Sequence, residues 1–287
     1  MACPILQLKS ERERNSAHPW IFAKMVDRPR KPLPAGTLVE LQSKSGQFVG
    51  RGIYHPSSTI CLRLLTEDPW EELDAGFFLR RLADAKRFRE DSLRLPEVTD
   101  AYRLVHAEGD GLSGLVIDKF ADVLVVQPHS AGYLATGDWL AAALQELYPN
   151  GRVAFRPDTR SEAKEGVSFA SLVRKYPAPD STVVREHEIR MKVDLTVGHK
   201  TGYFLDQRDT RAAVAALAKG KMVWDLCCYT GGFSISAMKA GAAACLAVDL
   251  DEKALETARA NATLNGVAVD FRHVNAFDFL RSATAEG

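Results

Sequence analysis

The stretch VWDLCCYTGGFS, from Val223 to Ser234, decides the fold of the C-terminal part of the chain. It reads as an apolar strand that ends in Asp225, followed by a turn with two glycines and the start of a helix. A second apolar strand follows and ends in Asp249, 24 residues after Asp225. A strand, a glycine turn, a helix and a second strand, with an acid at the tip of each strand, indicate a nucleoside-binding half-fold of the open α/β type.

The turn after the first strand indicates which nucleoside binds. Dinucleotide sites use glycines so that bare backbone can approach a pyrophosphate at the helix N-terminus. Here residues 227–230 are two cysteines, a tyrosine and a threonine, which present too much side chain for that contact. S-adenosylmethionine (SAM) has no phosphate and carries a sulfonium and an ammonium group. We therefore expect Asp225 to face the methionine end of SAM and Asp249 to accept from both ribose hydroxyls, with helix capping as the alternative role of each acid.

Other residues of the same region complete the predicted cofactor site. Asn275 follows the third strand, where its side-chain oxygen can accept from the adenine amino group while Ala276 offers a backbone amide. Loop capping by Asn275 is the competing interpretation. The remaining candidates lie in the turn and directly after the second strand, and they are Cys228, Tyr229, Thr230, Gly231 and Leu250.

A polar and aromatic cluster precedes the first strand. The sequence GHKTGYFLDQRDTR, from Gly198 to Arg211, lies between a strand and a helix and suits a lid over a flat, charged ligand. In this interpretation Phe204 stacks on the ligand, while Gln207 and Arg208 donate hydrogen bonds to its carboxylate. The alternative is a helix N-terminus with ordinary surface charges.

The five cysteines yield no catalytic assignment. Methylation at carbon 5 of a pyrimidine uses a nucleophile, usually a thiolate, that adds to carbon 6. Cys227 and Cys228 stand in the cofactor turn, Cys245 begins a buried strand, and Cys3 and Cys61 belong to the N-terminal β module. We expect Cys228 to be a packed small residue. Cys and His do not recur at ligand spacing, so no metal is predicted.

Composition and pattern predict three domains. Residues 1–70 read as short strands of a β-rich domain. We favour packing of His18-Pro19-Trp20 in the core of this domain over a direct contact of Trp20 with RNA. Residues 71–197 read as a connecting helix over about 71–93, which ends before Pro96, followed by a central α+β domain with strands over 115–120, 123–127 and 153–155. Residues 198–287 read as the first half of a Rossmann-like sheet, including a helix over 206–218 with Val214 and Leu217 facing inward.

The charge distribution suggests a polyanionic partner. Net charge is zero, but residues 1–67 carry 10 Lys/Arg against 5 Asp/Glu. Such an excess on a small domain favours binding to a phosphate backbone, although an ordinary solvated surface explains it equally well. The candidate phosphate contacts are Arg12, Arg14, Arg28, Arg30 and Lys31. Cysteines without a pairing pattern and the lack of a long apolar run predict a cytoplasmic protein without disulfides or membrane spans.

The assembled motifs resemble the family of SAM-dependent ribosomal RNA large-subunit cytosine-5 methyltransferases with an N-terminal PUA domain. LKSERERNSAHPWIF and VGRGIYHPSSTICLRLL are similar to its PUA domain, AYRLVHAEGDGLSGLVIDKFADVLVVQ to its central domain, and the lid and turn motifs to its cofactor site. The resemblance implies ribosomal RNA as substrate, SAM as cofactor and a PUA domain that docks RNA. A homodimer is compatible with the sequence.

Two departures from the family pattern affect these expectations. Asn275 stands where the family has an acid, and the family continues past the position of Gly287 with the catalytic cysteine. The resemblance therefore implies a C-terminally truncated chain whose catalytic residue lies beyond residue 287. One alternative is a non-catalytic RNA-binding protein with a vestigial nucleoside site. An NAD-dependent oxidoreductase is disfavoured because the turn lacks the glycines that a pyrophosphate needs.

Overall fold

The chain divides into two compact units. The computed structural model describes residues 3–11, 18–196 and 202–285, with side chains as far as residue 283. The first unit comprises Met1–Arg94 and Arg103–Ala178, and the second comprises Leu95–Tyr102 and Pro179–Gly287. The predicted division into three domains stays a prediction. Of the candidate RNA contacts, Arg12 and Arg14 lie outside the described residues.

A five-stranded sheet forms the N-terminal part of the first unit. Its strand order is β1-β3-β4-β5-β2, with β1 parallel to β3 and the other pairs antiparallel. Alternating apolar residues face a shared core, as the period-2 pattern predicts. The Trp20 segment is itself a strand, which sequence reasoning did not identify. The strands are β1 (Ile5–Gln7), β2 (Trp20–Phe22), β3 (Thr37–Gln42), β4 (Phe48–Tyr54) and β5 (Ile60–Thr66).

The connecting helix is shorter than predicted. Asp74 is the N-cap of helix α1 (Ala75–Arg87), and its side chain accepts from the Phe77 amide at 2.8 Å. A π-helical turn continues it over Phe88–Ser92. The helix α2 (Leu95–Val98) follows and contains Pro96, which fits a first helical turn because that position needs no amide donor.

A four-stranded sheet with strand order β6-β7-β8-β9 follows. Strands β7 and β8 are antiparallel, and β8 and β9 are parallel because helix α3 crosses between them. The predicted strands 115–120, 123–127 and 153–155 are confirmed, whereas β6 was not predicted. The elements are β6 (Ala101–His106), β7 (Leu115–Phe120), β8 (Val123–Pro128), α3 (Gly132–Leu147), β9 (Arg152–Phe155), α4 (Thr159–Glu165) and α5 (Ala170–Lys175).

The second unit contains a β-hairpin and a three-stranded parallel sheet with order β12-β13-β14. Each parallel crossover carries a helix, which is the α/β pattern that the sequence predicted. The elements are β10 (Ser181–Glu186), β11 (Ile189–Asp194), α6 (Arg208–Leu217), β12 (Met222–Leu226), α7 (Gly232–Lys239), β13 (Ala244–Asp249), α8 (Glu252–Asn265), β14 (Asp270–His273) and α9 (Ala276–Ala285).

Two helix-end predictions in this unit are confirmed, and one prediction of a buried side chain is wrong. Asp251 caps α8 through the Ala254 amide, and Gly266 ends it with φ 64°, as predicted. The prediction that Leu217 faces inward is wrong, because its side chain is 78% exposed at the end of α6. Strand β12 is an edge strand among the described residues, with Met222 and Trp224 exposed.

Among the residues that the structure describes, no helix is long and apolar enough to cross a bilayer.

Candidate cofactor site at the carboxyl ends of the parallel strands

The carboxyl ends of β12 and β13 place two acids at one edge of the sheet. In the register, Asp225 lies opposite Ala247, and Asp249 lies opposite His273. Parallel strands end on the same side, and this is the edge where open α/β sheets bind ligands. The two carboxylates are close enough for the charge of Asp249 to raise the pKa of Asp225. The two acids therefore lie at the same edge of the sheet, while their roles toward a cofactor stay a prediction.

Asp225 is bonded to the first turn of α7. One of its carboxylate oxygens accepts from the Ser234 amide at 3.0 Å and from the Ser234 hydroxyl. Burial, with a further contribution from Asp249, raises the pKa of Asp225 in spite of these bonds. The capping contact that competed with the cofactor role is therefore present.

Asp249 closes the turn after β12. Its Oδ2 accepts from the Tyr229 amide at 2.7 Å, and its Oδ1 accepts from the Asp251 amide at 3.0 Å. A carboxylate oxygen has room for a second donor, so both oxygens can still accept from a ribose. The backbone amides fix the carboxylate in place before any ligand arrives.

The turn itself has an unusual backbone. Cys227 and Tyr229 are left-handed, with φ of 65° and 50°, although neither is glycine. Such positions cost free energy and cluster at ligand sites. Gly231 also has a positive φ of 81°, and a Cβ there would meet the Ala258 Cβ at 3.3 Å. The turn is therefore held in one conformation by packing on α8.

Not all predicted turn residues present side chains to a ligand. Cys228 is buried against Ala247 and Leu255, as predicted for a packed residue. Burial raises the pKa of its thiol far above the ordinary value. Thr230 is also buried, and its carbonyl accepts from Asn261 at 3.3 Å. For Cys228 and Thr230, only the backbone remains available to a cofactor.

The lid cluster touches the turn through two aromatic rings. Phe204 packs edge to face on Tyr229, with ring centroids 5.3 Å apart. The Tyr229 hydroxyl donates to the Gly202 carbonyl at 3.2 Å. The other two lid candidates are less engaged: Gln207 is half-buried just before α6, and Arg208 pairs with the neighbouring Asp209 at 3.0 Å.

A buried ion pair anchors the lid, and sequence reasoning missed it. Arg211 is 3% exposed and donates two hydrogen bonds of 2.6 Å to Glu186 on β10. It also donates to the Phe204 carbonyl at 3.1 Å and lies over the Tyr203 ring at 4.5 Å. Arg211 belongs to the quoted lid motif, but nothing in the sequence points to a partner 25 residues upstream.

The residues after β13 and β14 occupy the same edge. The Asn275 side-chain oxygen accepts from the Phe277 amide at 2.8 Å, so Asn275 caps α9. The Leu250 side chain is 61% exposed, while its carbonyl accepts from the His273 ring at 2.9 Å. Ala276 is half-buried. The loop-capping alternative for Asn275 is present, since the same oxygen also accepts a longer bond of 3.4 Å from the Asp278 amide.

The groups at this edge of the sheet fit SAM. Two carboxylates converge where a ligand with a sulfonium, an ammonium and a ribose diol would lie, and an exposed Leu250 side chain is available to an adenine ring. A cavity of about 590 Å³ lies instead at the amino ends of β13 and β14 and is lined mainly by small and apolar residues. Asp270 is the acid in its lining, whereas two acids lie at the carboxyl ends, so the carboxyl ends remain the better site for a ligand with an ammonium group and a ribose.

The candidate RNA contacts in the described region are accessible. Arg28, Arg30 and Lys31 are exposed in the loop that precedes β3. Trp20 donates from its ring nitrogen to Glu108 at 2.8 Å and lies beneath Arg63 at 5.6 Å. These contacts favour the structural interpretation of Trp20. Among the described residues, no group of His, Cys, Asp or Glu could hold a metal ion.

Two family models match the chain. A PUA-like domain matches residues 5–67, and an S-adenosylmethionine-dependent methyltransferase domain matches residues 139–283, which is half of the chain. The chain belongs to the S-adenosylmethionine-dependent methyltransferase family. SAM is accordingly its cofactor, as the strand-end acids predicted.

Relatives in this methyltransferase family are similar along almost the whole chain. "Ribosomal RNA large subunit methyltransferase I" of Shewanella denitrificans is 40% identical over 98% of this chain and 72% of its own length. The protein of the same name from Aeromonas hydrophila is 40% identical over 94% of this chain and 69% of its own length.

A solved structure confirms the fold of this methyltransferase. A candidate methyltransferase in complex with S-adenosylhomocysteine (SAH) superimposes with a TM-score of 0.78 at 22% identity, over 100% of this chain and 73% of its own. A second, from Streptococcus mutans, gives 0.75 at 22% identity over 99% of this chain and 74% of its own. The comparisons confirm neither the predicted truncation nor the half-sheet, and they do not address cytosine-5 specificity.

Proposed function

We propose that this methyltransferase transfers the methyl group of SAM to ribosomal RNA of the large subunit. The observation that carries the proposal is 40% identity, over nearly the whole chain, to relatives named for that activity. The PUA-like domain and the exposed basic loop with Arg28, Arg30 and Lys31 support an RNA substrate. The cofactor supplies an electrophilic methyl group on sulfur.

The chain's own residues position the cofactor in this proposal. Asp249 accepts from the ribose hydroxyls, and its two backbone donors keep the carboxylate oriented. Asp225 faces the methionine end, where an ammonium group would relieve the unfavourable burial of its charge. Phe204 covers the ligand together with Tyr229, and Gln207 and Arg208 lie at the start of α6 to bind the methionine carboxylate.

The remaining predicted contacts surround the adenosine. Asn275 accepts from the adenine amino group while Ala276 donates its amide, and Leu250 packs against the ring. Cys228, Thr230 and Gly231 contribute backbone, since the first two are buried and the third has no side chain. These assignments remain proposals.

The target atom in our proposal is carbon 5 of a cytosine, as the family resemblance implies. In that reaction a thiolate adds to carbon 6, and carbon 5 attacks the methyl carbon, whose bond to sulfur breaks to leave SAH. A base then removes the proton from carbon 5, and the thiolate is expelled. We assign no cysteine to this role. Burial raises the pKa of the Cys61 and Cys245 thiols to about 11, so neither is a ready thiolate at neutral pH.

The test is a transfer of labelled methyl from SAM to protein-free large-subunit ribosomal RNA, followed by nucleoside analysis. We expect label in 5-methylcytidine. Label in another nucleoside would disprove the cytosine-5 proposal and keep the RNA methyltransferase. Retained RNA affinity without SAM binding would instead select the alternative of an RNA-binding protein with a vestigial nucleoside site.

Two further predictions stay open, namely a homodimer and a cytoplasmic location.

A further inference from the structure

A polar cavity in the first unit has no role in the proposed methyl transfer. It measures about 500 Å³ and lies within this single unit. That volume falls in the range of small-ligand sites. Its wall is rich in hydroxyls and cations, and the lining residues are Ser57, Ser58, Thr59, Ile60, Arg63, His129, Ser161, Lys164 and Glu165.

Hydrogen bonds fix the tautomer of His129. The Ser161 hydroxyl donates its only proton to Asp158 at 3.0 Å. The 2.8 Å contact between His129 Nδ1 and the Ser161 oxygen then requires His129 Nδ1–H to be the donor. In the neutral ring, Nε2 therefore carries a lone pair. No described residue bonds this nitrogen, so it can accept a hydrogen bond from a ligand in the cavity.

The neutral form of His129 is the favoured one. Burial lowers the pKa of the ring, and the nearby Arg63 and Arg103 lower it further, against the opposing charges of Asp158 and Glu108. At neutral pH the cavity thus offers an acceptor at His129 in addition to its cations.

The cations of the cavity differ in mobility. Arg63 lies on β5 and is held between the Trp20 ring at 5.6 Å and Glu108 at 3.6 Å, which partly offsets its charge. Lys164 lies on α4, is exposed, and forms no ion pair with a described residue. It is free to reach an anion.

The acid of the lining is partly satisfied within the protein. Glu165 is 7% exposed, and one carboxylate oxygen accepts from the Ala131 amide at 2.9 Å. The His55 ring accepts from the Ser57 and Ser58 amides and donates to the Glu165 carbonyl at 2.9 Å. The bonds of His55 hold the serine loop in place against the end of α4.

We propose that this cavity binds one ribonucleotide unit of an RNA backbone, with the 2′-hydroxyl donating to His129 Nε2 and the phosphate contacting Lys164 and Arg63. The 2′-hydroxyl is the group that distinguishes RNA from DNA, and only an acceptor or donor placed for it can read it. The identity of the polyanion as RNA depends on the proposed function, whereas the pairing of an acceptor with cations is independent of it.

The first experiment compares a fluorescent oligouridylate with its 2′-deoxy counterpart by anisotropy, using the full chain. We expect RNA to bind more tightly, by about 2- to 10-fold, which is the value of one hydrogen bond. His129→Phe keeps the ring volume and removes both nitrogens, so it should abolish this preference while leaving DNA affinity unchanged. Equal affinity of the wild type for both probes, or a preserved preference in His129→Phe, would overturn the 2′-hydroxyl contact.

The second experiment tests the phosphate contact with Lys164→Gln. This exposed substitution should not affect folding, and it should weaken RNA and DNA alike. The slope of log affinity against log salt should fall in magnitude by about 0.7 to 1, as expected for one lost phosphate contact. The matched control is Arg174→Gln, which removes one charge from an exposed position on α5 outside the cavity. An unchanged slope in Lys164→Gln, or an equal fall in Arg174→Gln, would overturn the phosphate contact.

Inorganic phosphate serves as the alternative source of the same anion. If it stabilises the wild type but not Lys164→Gln, while oligouridylate binding is equal in both, the cavity binds free phosphate and the RNA inference is wrong. If His129→Phe and Lys164→Gln both transfer methyl groups to ribosomal RNA with unchanged KM, the proposed function stands and RNA binding in the cavity is wrong. If the wild type transfers no methyl group to ribosomal RNA but its preference for the 2′-hydroxyl depends on His129, RNA binding in the cavity stands and the proposed function is wrong.

Discussion

Two sets of charged side chains in the second unit differ in the partners of their charges. Glu186 and Arg211 are both buried and satisfy each other by two hydrogen bonds of 2.6 Å. Asp225 and Asp249 lie at the strand ends, where no cation of the described residues bonds to them, and each is held by amides or a hydroxyl instead. The charges of the first set neutralise each other, so this pair has a structural role. The second set leaves negative charge to be met by a ligand.

The largest effect is expected when the buried pair is broken. Arg211→Met leaves Glu186 as a buried charge without its partner, which costs about 3 to 5 kcal/mol of unfolding free energy. Denaturation with urea, followed by circular dichroism, measures it. The control is Arg208→Gln, one turn earlier on α6, where the described partner of the charge is the exposed Asp209 and a change below about 1 kcal/mol is expected.

Equal stability losses in these two arginine variants would contradict the assignment of Arg211 to a structural ion pair and of Arg208 to the ligand site. Arg208→Gln should weaken SAM binding even though it leaves stability intact, since we place Arg208 at the methionine carboxylate.

The next effect concerns the ligand set. Asp249→Ala removes a charged acceptor from two ribose hydroxyls and should weaken SAM binding by about 1 to 3 kcal/mol. Isothermal titration calorimetry measures the change. Asp251→Ala is the matched control, because Asp251 caps α8 through the Ala254 amide and faces the helix. It should lower stability by about 1 kcal/mol and leave SAM affinity unchanged. Unchanged SAM affinity in Asp249→Ala would remove the ribose assignment.

Asn275 combines a helix-capping role with a proposed contact to adenine, and its variants separate the two roles. Asn275→Ala loses the α9 cap and should lower the unfolding free energy by about 0.5 to 2 kcal/mol, with weaker SAM binding. Asn275→Asp keeps an acceptor for both the helix amide and the adenine amino group, so it should restore both properties. Restored stability without restored SAM affinity would confine Asn275 to capping.

The smallest expected effect concerns the pH dependence of stability, where a substitution of Asp225 is expected to stabilise the protein as the pH rises. The folded state raises the pKa of Asp225, mainly through burial, so it favours the protonated carboxyl. The contribution of this group to stability is therefore complete below the unfolded-state pKa and is lost as pH rises through the folded pKa. Asp225→Asn keeps an acceptor for Ser234 without the charge. We expect its melting temperature to rise relative to the wild type as the pH goes from acidic to neutral, while its SAM affinity falls.

A melting-temperature difference that shrinks over the same pH range would show that the Asp225 carboxylate is satisfied by the protein itself. Asp225 would then belong with Glu186 and Arg211.

The part of this fold that the sequence predicted is the part with local causes. The β12-α7-β13-α8 order follows from apolar runs of strand length, the glycine turn, the Asp251 cap and the Gly266 ending. The convergence of Asp225 and Asp249 follows because parallel strands end on one side. Each of these signals lies within a few residues of the element it specifies.

The missed features depend on contacts between distant residues. Strand β10 and its Glu186 have no marker of a partner, and Arg211 reads like any surface arginine until the fold places it 2.6 Å from Glu186. Leu217 satisfies the helical period, but no described element covers it, so it is exposed. The amides that bond Asp249 depend on the left-handed backbone of Tyr229. A tyrosine in the sequence does not indicate that conformation.

The most direct test of the central claim is a crystal structure of the chain with SAH. The account predicts both ribose hydroxyls within about 3.2 Å of the Asp249 carboxylate, at the carboxyl ends of β12 and β13. SAH bound at another position, such as the cavity at the amino ends of β13 and β14, would contradict it.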